Sequence, residues 1–370
     1  MIRVTIAVPP RPYDAVVESG LLERAGEQLR SVVVDHEHLF VVTVPPVRRR
    51  WGKKLVKSLS AARFATQIVE MPDGERFKKL ATVEQLAEKL TRLGADRSAV
   101  IVAFGGGVVG DVAGLVASLY MRGVGLIQIP TTVQAQLDAA IGGKTGVNLR
   151  SGKNLVGTFY HPRVVLIDPA LLSTLPEREF RAGLYEALKC GVIGNPALFE
   201  RLEKVAVKPL RREAATLEWV IAESVRLKAE VVSSDERESG LRRVLNFGHT
   251  IGHALEAESK YRRFLHGEAV AWGMIAATHI SAIMDRIDRN TARRISDAVL
   301  NLGKLPRVEA RTRDIVRLLR SDKKTVNAVV HFVLPREIGK VEIVNDVPEN
   351  VIIEAMDELR RLSKQSGVSN

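Results

Sequence analysis

The stretch AVIVAFGGGVVGD, residues 99–111, joins a short apolar run to a cluster of glycines. The run Ala99–Phe104 predicts a buried strand, and the glycines at 105, 107 and 110 follow it with the spacing GxGxxG. Helical periodicity continues over Val112–Leu119. Strand, glycine turn and helix in this order allow backbone N–H groups to approach a pyrophosphate at the helix N-terminus, so the stretch predicts a dinucleotide-binding α/β domain.

One part of the usual dinucleotide pattern is missing. An acidic residue about 20 positions beyond the glycines normally binds the adenosine ribose, but residues 121–132 contain no Asp or Glu. An acidic candidate lies upstream in DGERFK, residues 73–78, directly after a predicted strand. Strand ends are where open α/β sheets place ligands, but Asp-Gly is also a common tight turn and a glycine-rich turn can serve packing alone. Both interpretations stay open at this point.

The alternation of strands and helices extends over the first 180 residues. The predicted strands are Val4–Val8, Leu39–Val44, Ala65–Met71, Ala99–Phe104, Gly125–Ile129 and Val164–Ile167. Helical periodicity fills stretches between them, such as Val83–Leu93, which Thr82 and Gln85 open at capping-box spacing. This pattern predicts a parallel sheet with crossover helices, a Rossmann-like α/β domain over residues 1–180.

The pattern changes after Pro176 to long helical stretches. These are Arg178–Leu188, Leu210–Val231, Thr250–Ser259, Gly267–Met284 and Asn290–Leu302, with few strand runs before Val329–Leu334. We therefore predict a mainly α-helical domain over residues 181–370.

The composition, with 46% hydrophobic and 26% charged residues among 370, is that of a folded globular protein. The net charge of +12 suits nucleic acid, an anionic surface or anionic small substrates. The densest basic cluster contains Arg48, Arg49, Arg50, Lys53 and Lys54. Because Trp51 is its only aromatic residue, we interpret it as a solvated helix face and expect no nucleic-acid partner.

Cysteine content and hydropathy bear on location. The single cysteine, Cys190, excludes an intramolecular disulfide, and the N-terminal residues lack the features of a secretory signal. The longest nearly apolar run, Ala269–Met284, is shorter than the roughly 20 residues that a membrane-spanning helix needs. We expect a cytoplasmic protein without a membrane partner.

A histidine cluster suggests a metal site. His249 and His253 have i, i+4 spacing, which places both on one face of a helix, and His266 begins the next helical stretch. Imidazoles suit zinc-like cations, and a catalytic site typically takes three protein ligands. The alternative for the pair alone is a packed core or capping role. A peptidase is disfavoured because Thr250 follows His249 where the general base of HExxH would stand.

Two lysines lie in glycine-rich loops. Lys144 belongs to a GGKT sequence that ends like a Walker A motif, but Asp138 replaces the first glycine, so a P-loop kinase is excluded. Lys144 and Lys153 instead suit a phosphate or carboxylate, or else are exposed loop lysines.

Taken together, these motifs resemble the 3-dehydroquinate synthases of the sugar-phosphate cyclase family. The matching stretches are DGERFK (73–78), FGGGVVGD (104–111), YMRG (120–123), IPTT (129–132), LDAAIGGKTGVN (137–148), GKNLVGTFYHP (152–162), TLPERE (174–179), GLYEALK (183–189), LNFGHTIGHALE (245–256) and LHGEAVAWGM (265–274). Departures are Ala139 and Ala140, where serines are frequent, and His331, where a lysine or arginine is often found.

The resemblance implies an NAD+-binding α/β domain, a helical metal-binding domain with one Zn²⁺ or Co²⁺, and a homodimer. The implied metal ligands are Glu186, His249 and His266. The implied nucleotide contacts are Asp73, Gly74, Glu75, Arg76, Phe77, Lys78, Gly106, Gly107, Val108, Val109, Gly110, Asp111, Thr131, Thr132, Lys144, Lys153, Leu171, Leu172, Ser173 and Thr174. The implied catalytic and substrate residues are Asp138, Lys144, Lys153, Asn154, Lys189, Lys228, Arg242, Asn246 and His253, with Arg122 reaching in from a partner subunit.

The activity that the resemblance implies converts 3-deoxy-arabino-heptulosonate 7-phosphate to 3-dehydroquinate and phosphate. The steps are transient oxidation by NAD+, phosphate elimination, reduction and intramolecular aldol closure. The alternatives are a cyclase acting on sedoheptulose 7-phosphate, which lacks the carboxylate, and a metal-dependent alcohol or glycerol dehydrogenase, which commonly has Asp where Glu186 stands. If the helix of His249 extends back to Arg242, seven residues earlier, we expect both on one face.

Overall fold

The structure, a computed structural model, describes residues 1–34, 37–322 and 330–366. Its contacts divide the chain into two compact units. The first unit comprises Met1–Leu175 and Ala214–Glu236, and the second comprises Pro176–Glu213 and Arg237–Asn370. The first unit therefore includes a segment beyond residue 180. The domain ranges 1–180 and 181–370 stay a prediction.

The first unit is built on a mostly parallel sheet. Its strands are β1 (Ile2–Ile6), β2 (Tyr13–Val17), β3 (His38–Thr43), β4 (Thr66–Glu70), β5 (Ala99–Gly105), β6 (Gly125–Pro130), β7 (Lys144–Leu149), β8 (Gly152–Phe159) and β9 (Val164–Ile167). Seven of them form one sheet in the order β1-β2-β9-β6-β5-β3-β4, and β7 pairs with β8 in a separate hairpin. In this sheet order, each pair of neighbouring strands from β2 through β9, β6, β5 and β3 to β4 is parallel. Strand β1 pairs antiparallel with β2. The predicted parallel α/β class is confirmed.

Helices cover the sheet and form most of the second unit. They are α1 (Ala25–Leu29), α2 (Pro45–Val47), α3 (Lys53–Ala61), α4 (Leu80–Arg92), α5 (Gly107–Leu119), α6 (Glu177–Gly194), α7 (Pro196–Lys204), α8 (Val207–Arg212), α9 (Ala214–Ser234), α10 (His249–Glu258), α11 (His266–Ile283), α12 (Arg289–Asn301), α13 (Thr312–Asp322) and α14 (Glu349–Ser366). No helix in the described ranges is long and apolar enough to span a membrane.

Strand β5 lies inside the sheet between β6 and β3, and all seven of its residues are buried. Its alternate side chains enter two different apolar cores. Ile101 and Ala103 pack on one side of the sheet, and Val100, Val102 and Phe104 pack on the other. Because its side chains alternate between two apolar cores, the strand is apolar throughout. It ends at the glycine turn, on the carboxyl edge of the sheet.

The start of α4 differs from the prediction. The helix begins at Leu80 after Lys79, so Thr82 lies inside the first turn, is 2% exposed and caps nothing. The capping-box interpretation was wrong, because the helix begins two residues before Thr82 and the Thr82 side chain is buried in the core.

In the second unit, α11 makes backbone contact with both α6 and α10. A Cβ atom at Gly267 would lie 1.8 Å from the carbonyl oxygen of Ala182, and one at Gly273 would lie 1.8 Å from that of Gly248. Only glycine allows this approach, and it brings α6, α10 and the first turn of α11 together. A hairpin of β10 (Phe332–Glu337) and β11 (Lys340–Val344) completes the described part of this unit. The predicted strand run began at Val329, which lies outside the described residues.

Candidate active site

The three close helices of the second unit bring four candidate metal ligands together. Helix α6 supplies Glu186, α10 supplies His249 and His253, and α11 supplies His266. Helix α10 starts at His249 because Gly248 adopts a left-handed conformation, with φ of 79°, that interrupts the preceding turn. The interruption places His249 in the first turn of α10, beside the start of α11.

Two imidazole rings direct the same nitrogen toward the same carboxylate oxygen. The Nε2 atoms of His266 and His249 lie 3.4 Å and 3.9 Å from Oε1 of Glu186. Two ligands held about 2.1 Å from a tetrahedral ion lie roughly 3.4 Å apart, so these spacings fit ligands of one cation.

The opposite nitrogen of each ring is held by a hydrogen bond. Nδ1 of His249 lies 3.2 Å from the carbonyl oxygen of Phe247, and Nδ1 of His266 lies 3.1 Å from Oε2 of Glu256. A carbonyl or carboxylate at the second nitrogen is the usual outer partner of a metal-binding histidine, because it fixes the tautomer and the ring orientation. Sequence reasoning missed Glu256, although its position three residues after His253 on α10 was a signal.

Glu186 is buried with an unsatisfied carboxylate. Lys189 Nζ lies 2.6 Å from Oε2 as an ion pair, but neither oxygen has a hydrogen bond of acceptable geometry. Burial alone would raise the pKa of Glu186, but the charge of Lys189 and the two histidines holds it well below the usual range. An ionised, buried carboxylate whose oxygens lack aligned donors is suited to a cation, and the donor set of one oxygen and two nitrogens suits Zn²⁺ or Co²⁺.

The histidines differ in protonation in the absence of a metal. Burial and the nearby positive charge of Lys189 lower the pKa of His249 well below its usual value, which favours the neutral form that binds metals. Burial also acts to lower the pKa of His266, but its close contacts with the carboxylates of Glu186 and Glu256 outweigh burial and raise the pKa to about 9. A divalent cation would displace the proton of His266.

His253 adjoins the same cluster from a more exposed position. Its ring centroid lies 5.2 Å from that of His249 and 5.7 Å from that of His266. The ligand atoms of the three histidines also lie within 4.8 Å of one another, so three imidazoles form an alternative ligand set. The exposure of His253 contrasts with the complete burial of Glu186.

The glycine turn of the first unit lies at the carboxyl end of β5, at the N-terminus of α5. A Cβ atom at Gly105 would lie 2.5 Å from a methyl group of Val109, and one at Gly110 would lie 3.0 Å from the side chain of Gln128 on β6. These two glycines therefore permit close packing of α5 on the sheet. A Cβ atom at Gly106, the N-cap of α5, would lie 3.1 Å from the methyl group of Thr132. Because the turn consists of glycines, it presents backbone N–H groups rather than side chains at the N-terminus of α5.

The DGERFK turn folds against this glycine turn through a buried ion pair. Lys78, which is 6% exposed, pairs with Asp111 on α5 and donates to Oδ1 of Asn154 at 2.5 Å. Burial raises the pKa of Asp111, although the charge of Lys78 opposes that shift. Asn148, which the sequence did not single out, donates to Glu75 at 2.7 Å and accepts from the backbone of Asn154 at 2.9 Å. The turn at 73–78 is thus joined to the β7–β8 hairpin.

Asp138, which is half-buried, and Lys228, which is buried, form a second ion pair in the first unit. Lys228, on α9, pairs with the carboxylate of Asp138 and donates to its carbonyl oxygen at 2.6 Å. The loop then turns through Gly142 and Gly143, with φ of 98° and 67°, and leads into Lys144, which is exposed. The structure therefore brings Asp138, Lys144 and Lys228 into one unit.

The remaining candidate residues have varied surroundings. Leu171 and Leu172 are buried, so only their backbone can contact a nucleotide, and Thr131, directly after β6, is buried as well. Arg122 is exposed, in a left-handed conformation with φ of 68°. His331, directly before β10, is exposed, and its carbonyl accepts from Thr250 at 3.0 Å.

Arg242 does not share a helix with His249. It lies on a 3₁₀ turn, Leu241–Asn246, that ends before the left-handed Gly248. The expectation of one continuous helical face was wrong, because Gly248 reverses the local handedness. Arg242 is nevertheless 2% exposed, and Asn246 on the same turn donates to Glu238 at 2.8 Å.

Comparison with known proteins identifies the family. The family models for the N-terminal and C-terminal parts of 3-dehydroquinate synthase match residues 68–182 and 183–325. The chain belongs to the 3-dehydroquinate synthase family. The 3-dehydroquinate synthase of Koribacter versatilis is 54% identical over 98% of this chain and 99% of its own, and that of Solibacter usitatus is 47% identical over 95% and 97%. The chain covers nearly the full length of both 3-dehydroquinate synthases.

Solved structures agree on the fold of the 3-dehydroquinate synthase family. A 2-epi-5-epi-valiolone synthase from Streptomyces hygroscopicus, with NAD+ and Zn²⁺ bound, is 31% identical with a TM-score of 0.87 and covers 96% of this chain and 99% of that one. A 2-deoxy-scyllo-inosose synthase with carbaglucose-6-phosphate, NAD+ and Co²⁺ is 27% identical with a TM-score of 0.82 and the same coverage. A probable glycerol dehydrogenase from Sinorhizobium meliloti, at 16% identity and a TM-score of 0.61, shares the fold alone.

Proposed function

We propose that this chain is an NAD+- and metal-dependent phosphate-eliminating cyclase that converts 3-deoxy-arabino-heptulosonate 7-phosphate to 3-dehydroquinate and phosphate. The observation that carries the proposal is the convergence of two imidazole Nε2 atoms on Oε1 of the buried Glu186, in a chain 54% identical to a 3-dehydroquinate synthase. When bound, the divalent cation acidifies the substrate's C5 hydroxyl, and NAD+ supplies the acceptor for the C5 hydride.

The metal ligands in this proposal are Glu186, His249 and His266. Glu186 supplies the only negative charge of the set, and Lys189 balances it at 2.6 Å. Glu256 and the Phe247 carbonyl orient the two rings by accepting from their Nδ1 atoms. His253 is exposed beside the set and in this proposal contacts the substrate.

The nucleotide residues in this proposal are those around the glycine turn. The N-terminus of α5, capped by Gly106, binds the pyrophosphate through backbone N–H groups, with Thr131 and Thr132 at the end of the adjacent strand. Lys78 and Asp111 hold the DGERFK turn in place beside it. Further contacts come from the rest of the turn and the glycine loop (Asp73, Gly74, Glu75, Arg76, Phe77, Gly107, Val108, Val109, Gly110), from Lys144 and Lys153, and from the segment Leu171, Leu172, Ser173 and Thr174.

The substrate residues in this proposal are mainly cationic. A phosphorylated sugar acid carries about three negative charges, and lysine and arginine hold such groups by charge-assisted hydrogen bonds. The proposed set is Asp138, Lys144, Lys153, Asn154, Lys189, Lys228, Arg242, Asn246 and His253. These residues position the substrate and stabilise developing charge, so the bound phosphate itself can take up the C6 proton as it leaves. The proposal assigns these basic residues to an anionic small substrate, includes no nucleic-acid partner, and has the protein act in the cytoplasm.

A homodimer is also part of the proposal. Leu119 at the end of α5 and Leu155 and Phe159 on one face of β8 are 52%, 60% and 42% exposed. The hydroxyl of Thr158, on the opposite face of β8, donates to Ser118 at 2.9 Å, so that face packs on α5 and the face with Leu155 and Phe159 points away from α5. An apolar surface of this kind is suited to a second copy of the chain, and Arg122 lies three residues after Leu119 in the sequence.

The proposed substrate has a carboxylate that sedoheptulose 7-phosphate, the substrate of the alternative cyclase, lacks. A variant of Arg242, the proposed carboxylate-binding residue, therefore tests the proposed function. Removing a charged hydrogen bond costs about 1.5–3 kcal/mol, so Arg242→Leu should lower kcat/KM for the heptulosonate phosphate roughly 10- to 100-fold. Phosphate release measures this, with sedoheptulose 7-phosphate as the substrate that lacks the carboxylate. Arg242→Lys, which keeps the charge, should recover part of the loss.

The comparison of the two sugars decides between cyclases. The wild-type chain should have a higher kcat/KM for the heptulosonate phosphate than for sedoheptulose 7-phosphate. Arg242→Leu should reduce the ratio of these two values, and its zinc content should be unchanged. A wild-type preference for sedoheptulose 7-phosphate would contradict the proposed function, and equal losses on both sugars would remove Arg242 from carboxylate binding.

A further inference from the structure

Two charged residues in the stretches that carry the family resemblance have no role in the proposed function. They are the arginine of TLPERE (174–179) and the glutamate of LHGEAVAWGM (265–274). The structure brings both together within the second unit. Arg178 lies in the first turn of α6, and Glu268 lies in the first turn of α11. These two helices also carry proposed metal ligands.

Arg178 and Glu268 form an ion pair with two parallel hydrogen bonds. Nε and Nη2 of Arg178 donate to Oε1 and Oε2 of Glu268, each at 2.7 Å. The same Nη2 donates to the carbonyl oxygen of Arg263 at 3.0 Å. The N–H of Leu265 donates to Oε2 of Glu268 at 2.9 Å. The guanidinium therefore binds the chain both before and after His266.

The two partners of this ion pair differ in exposure. The Glu268 side chain is 1% exposed, whereas that of Arg178 is 51% exposed. A buried carboxylate needs a cation or hydrogen-bond donors, whereas an exposed guanidinium is hydrated by water. Loss of Arg178 leaves the carboxylate with one donor in the described part of the chain, the N–H of Leu265. The carboxylate then has to take up a proton or move toward water, and such a movement carries the first turn of α11 with it.

The ion pair is the first of three contacts between α6 and α11. Arg178, Ala182 and Glu186 follow one another at four-residue spacing, so they lie along one face of α6. The second contact is the close backbone approach of Ala182 to Gly267. The third joins Oε1 of Glu186 to Nε2 of His266, 3.4 Å apart. A glycine permits a close approach but contributes no attraction of its own, whereas the ion pair draws the first turns of the two helices together.

We propose that Arg178 and Glu268 are positioning residues of the metal site, which set the distance between the ligand on α6 and the ligand on α11. The inference rests on the proposed function for the ligand set, and it adds two residues that are not ligands. Metal–ligand distances vary by only about 0.2 Å, so a small shift of the first turn of α11 weakens coordination. Residues that orient ligands typically contribute 10- to 100-fold to metal affinity.

The second unit contains a second ion pair of the same geometry, which serves as a matched control. Nε and Nη2 of Arg294 on α12 donate to the two carboxylate oxygens of Glu203 on α7, each at 2.7 Å. The Arg294 side chain is 43% exposed, close to the exposure of Arg178. This pair joins two helices that carry no proposed metal ligand. Arg294→Gln therefore removes an equivalent arginine without releasing a ligand-bearing turn.

The test combines zinc affinity, measured by competition with a chelating indicator, with the visible absorption spectrum of the chain at saturating Co²⁺. The spectrum reports coordination geometry, and a lower stability of the metal-free chain does not influence it at saturation. Arg178→Gln should lower zinc affinity about 10-fold or more and change the Co²⁺ spectrum. Arg178→Lys, which keeps the charge but not the planar fork, should recover part of the affinity. Arg294→Gln should match the wild-type chain in both measurements.

Glu268→Gln is the second variant, because it leaves an exposed arginine rather than a buried charge and disturbs folding less. Its amide oxygen can still accept from the N–H of Leu265, but the ion pair is lost. It should lower zinc affinity and change the Co²⁺ spectrum in the same direction as Arg178→Gln.

The outcomes separate this inference from the proposed function. Wild-type zinc affinity and Co²⁺ spectra in Glu268→Gln and Arg178→Gln, or an equal change in Arg294→Gln, would overturn the positioning role and leave the metal site in place. Failure of the wild-type chain to bind zinc or Co²⁺ would overturn the ligand set of the proposed function, and this inference with it.

Discussion

Glu186→Gln is expected to lower zinc affinity at least about 100-fold and to abolish turnover at limiting metal. Even the outer hydrogen-bond partners of metal ligands are worth 10- to 100-fold in affinity, and Glu186 supplies the only negative charge among the proposed ligands. The measurement is metal content and zinc titration of the purified chain, followed by phosphate release. Glu177→Gln, an exposed glutamate on the same helix, is the matched control and should bind zinc normally.

The same experiment tests the alternative set of three imidazoles. The loss of Glu186 also deprives buried Lys189 of a partner, which costs several kcal/mol, so Glu186→Asp is needed as a variant that keeps the charge. The aspartate should retain more zinc than the glutamine. Normal zinc binding by Glu186→Gln together with its loss in His253→Gln would show that His253 is the third ligand.

Lys78→Met is expected to weaken NAD+ binding 10- to 100-fold and to destabilise the first unit by about 3–5 kcal/mol. The affinity falls because Lys78 fixes the DGERFK turn against α5 and the β7–β8 hairpin. The stability falls because Asp111 is left as a buried charge without its cation. Calorimetric NAD+ titration and denaturant unfolding measure the two effects.

A double variant separates stability from binding. Lys78→Met with Asp111→Asn removes the stranded charge, so it should recover most of the lost stability but not the affinity for NAD+. Recovery of both would show that Lys78 only balances Asp111 and has no part in the nucleotide site.

Local spacing predicted more of the site than long-range packing. The pair His249 and His253 could be identified because i, i+4 spacing on a helix places two side chains together. Glu186 is 63 residues away from His249, and only the family resemblance, not the local pattern, connected the two. The contact of Glu256 with His266 and that of Asn148 with Glu75 were missed for the same reason, since helix and hairpin packing brings them together.

For the fold, too, local sequence patterns predicted more than long-range pairing and packing. The strands β3, β5 and β9 were predicted because their residues are almost all buried, and a buried strand has an apolar sequence. The hairpin β7–β8 was missed because β8 is largely exposed, contains Gly152 and Gly157, and is stabilised mainly by pairing with its neighbour. Helix α9 was predicted as helical, but periodicity does not say which unit a helix packs on.

The central claim is that the cofactor is reduced and reoxidised within one turnover, and isotope transfer tests it most directly. Heptulosonate phosphate carrying deuterium at C5 is incubated with the chain, zinc and less than one equivalent of unlabelled NAD+. The account predicts that every product molecule retains the deuterium at the carbon derived from C5, with one phosphate released per substrate and no accumulation of NADH. Product without the label, or deuterated NADH accumulating in proportion to turnover, would contradict it and favour a dehydrogenase.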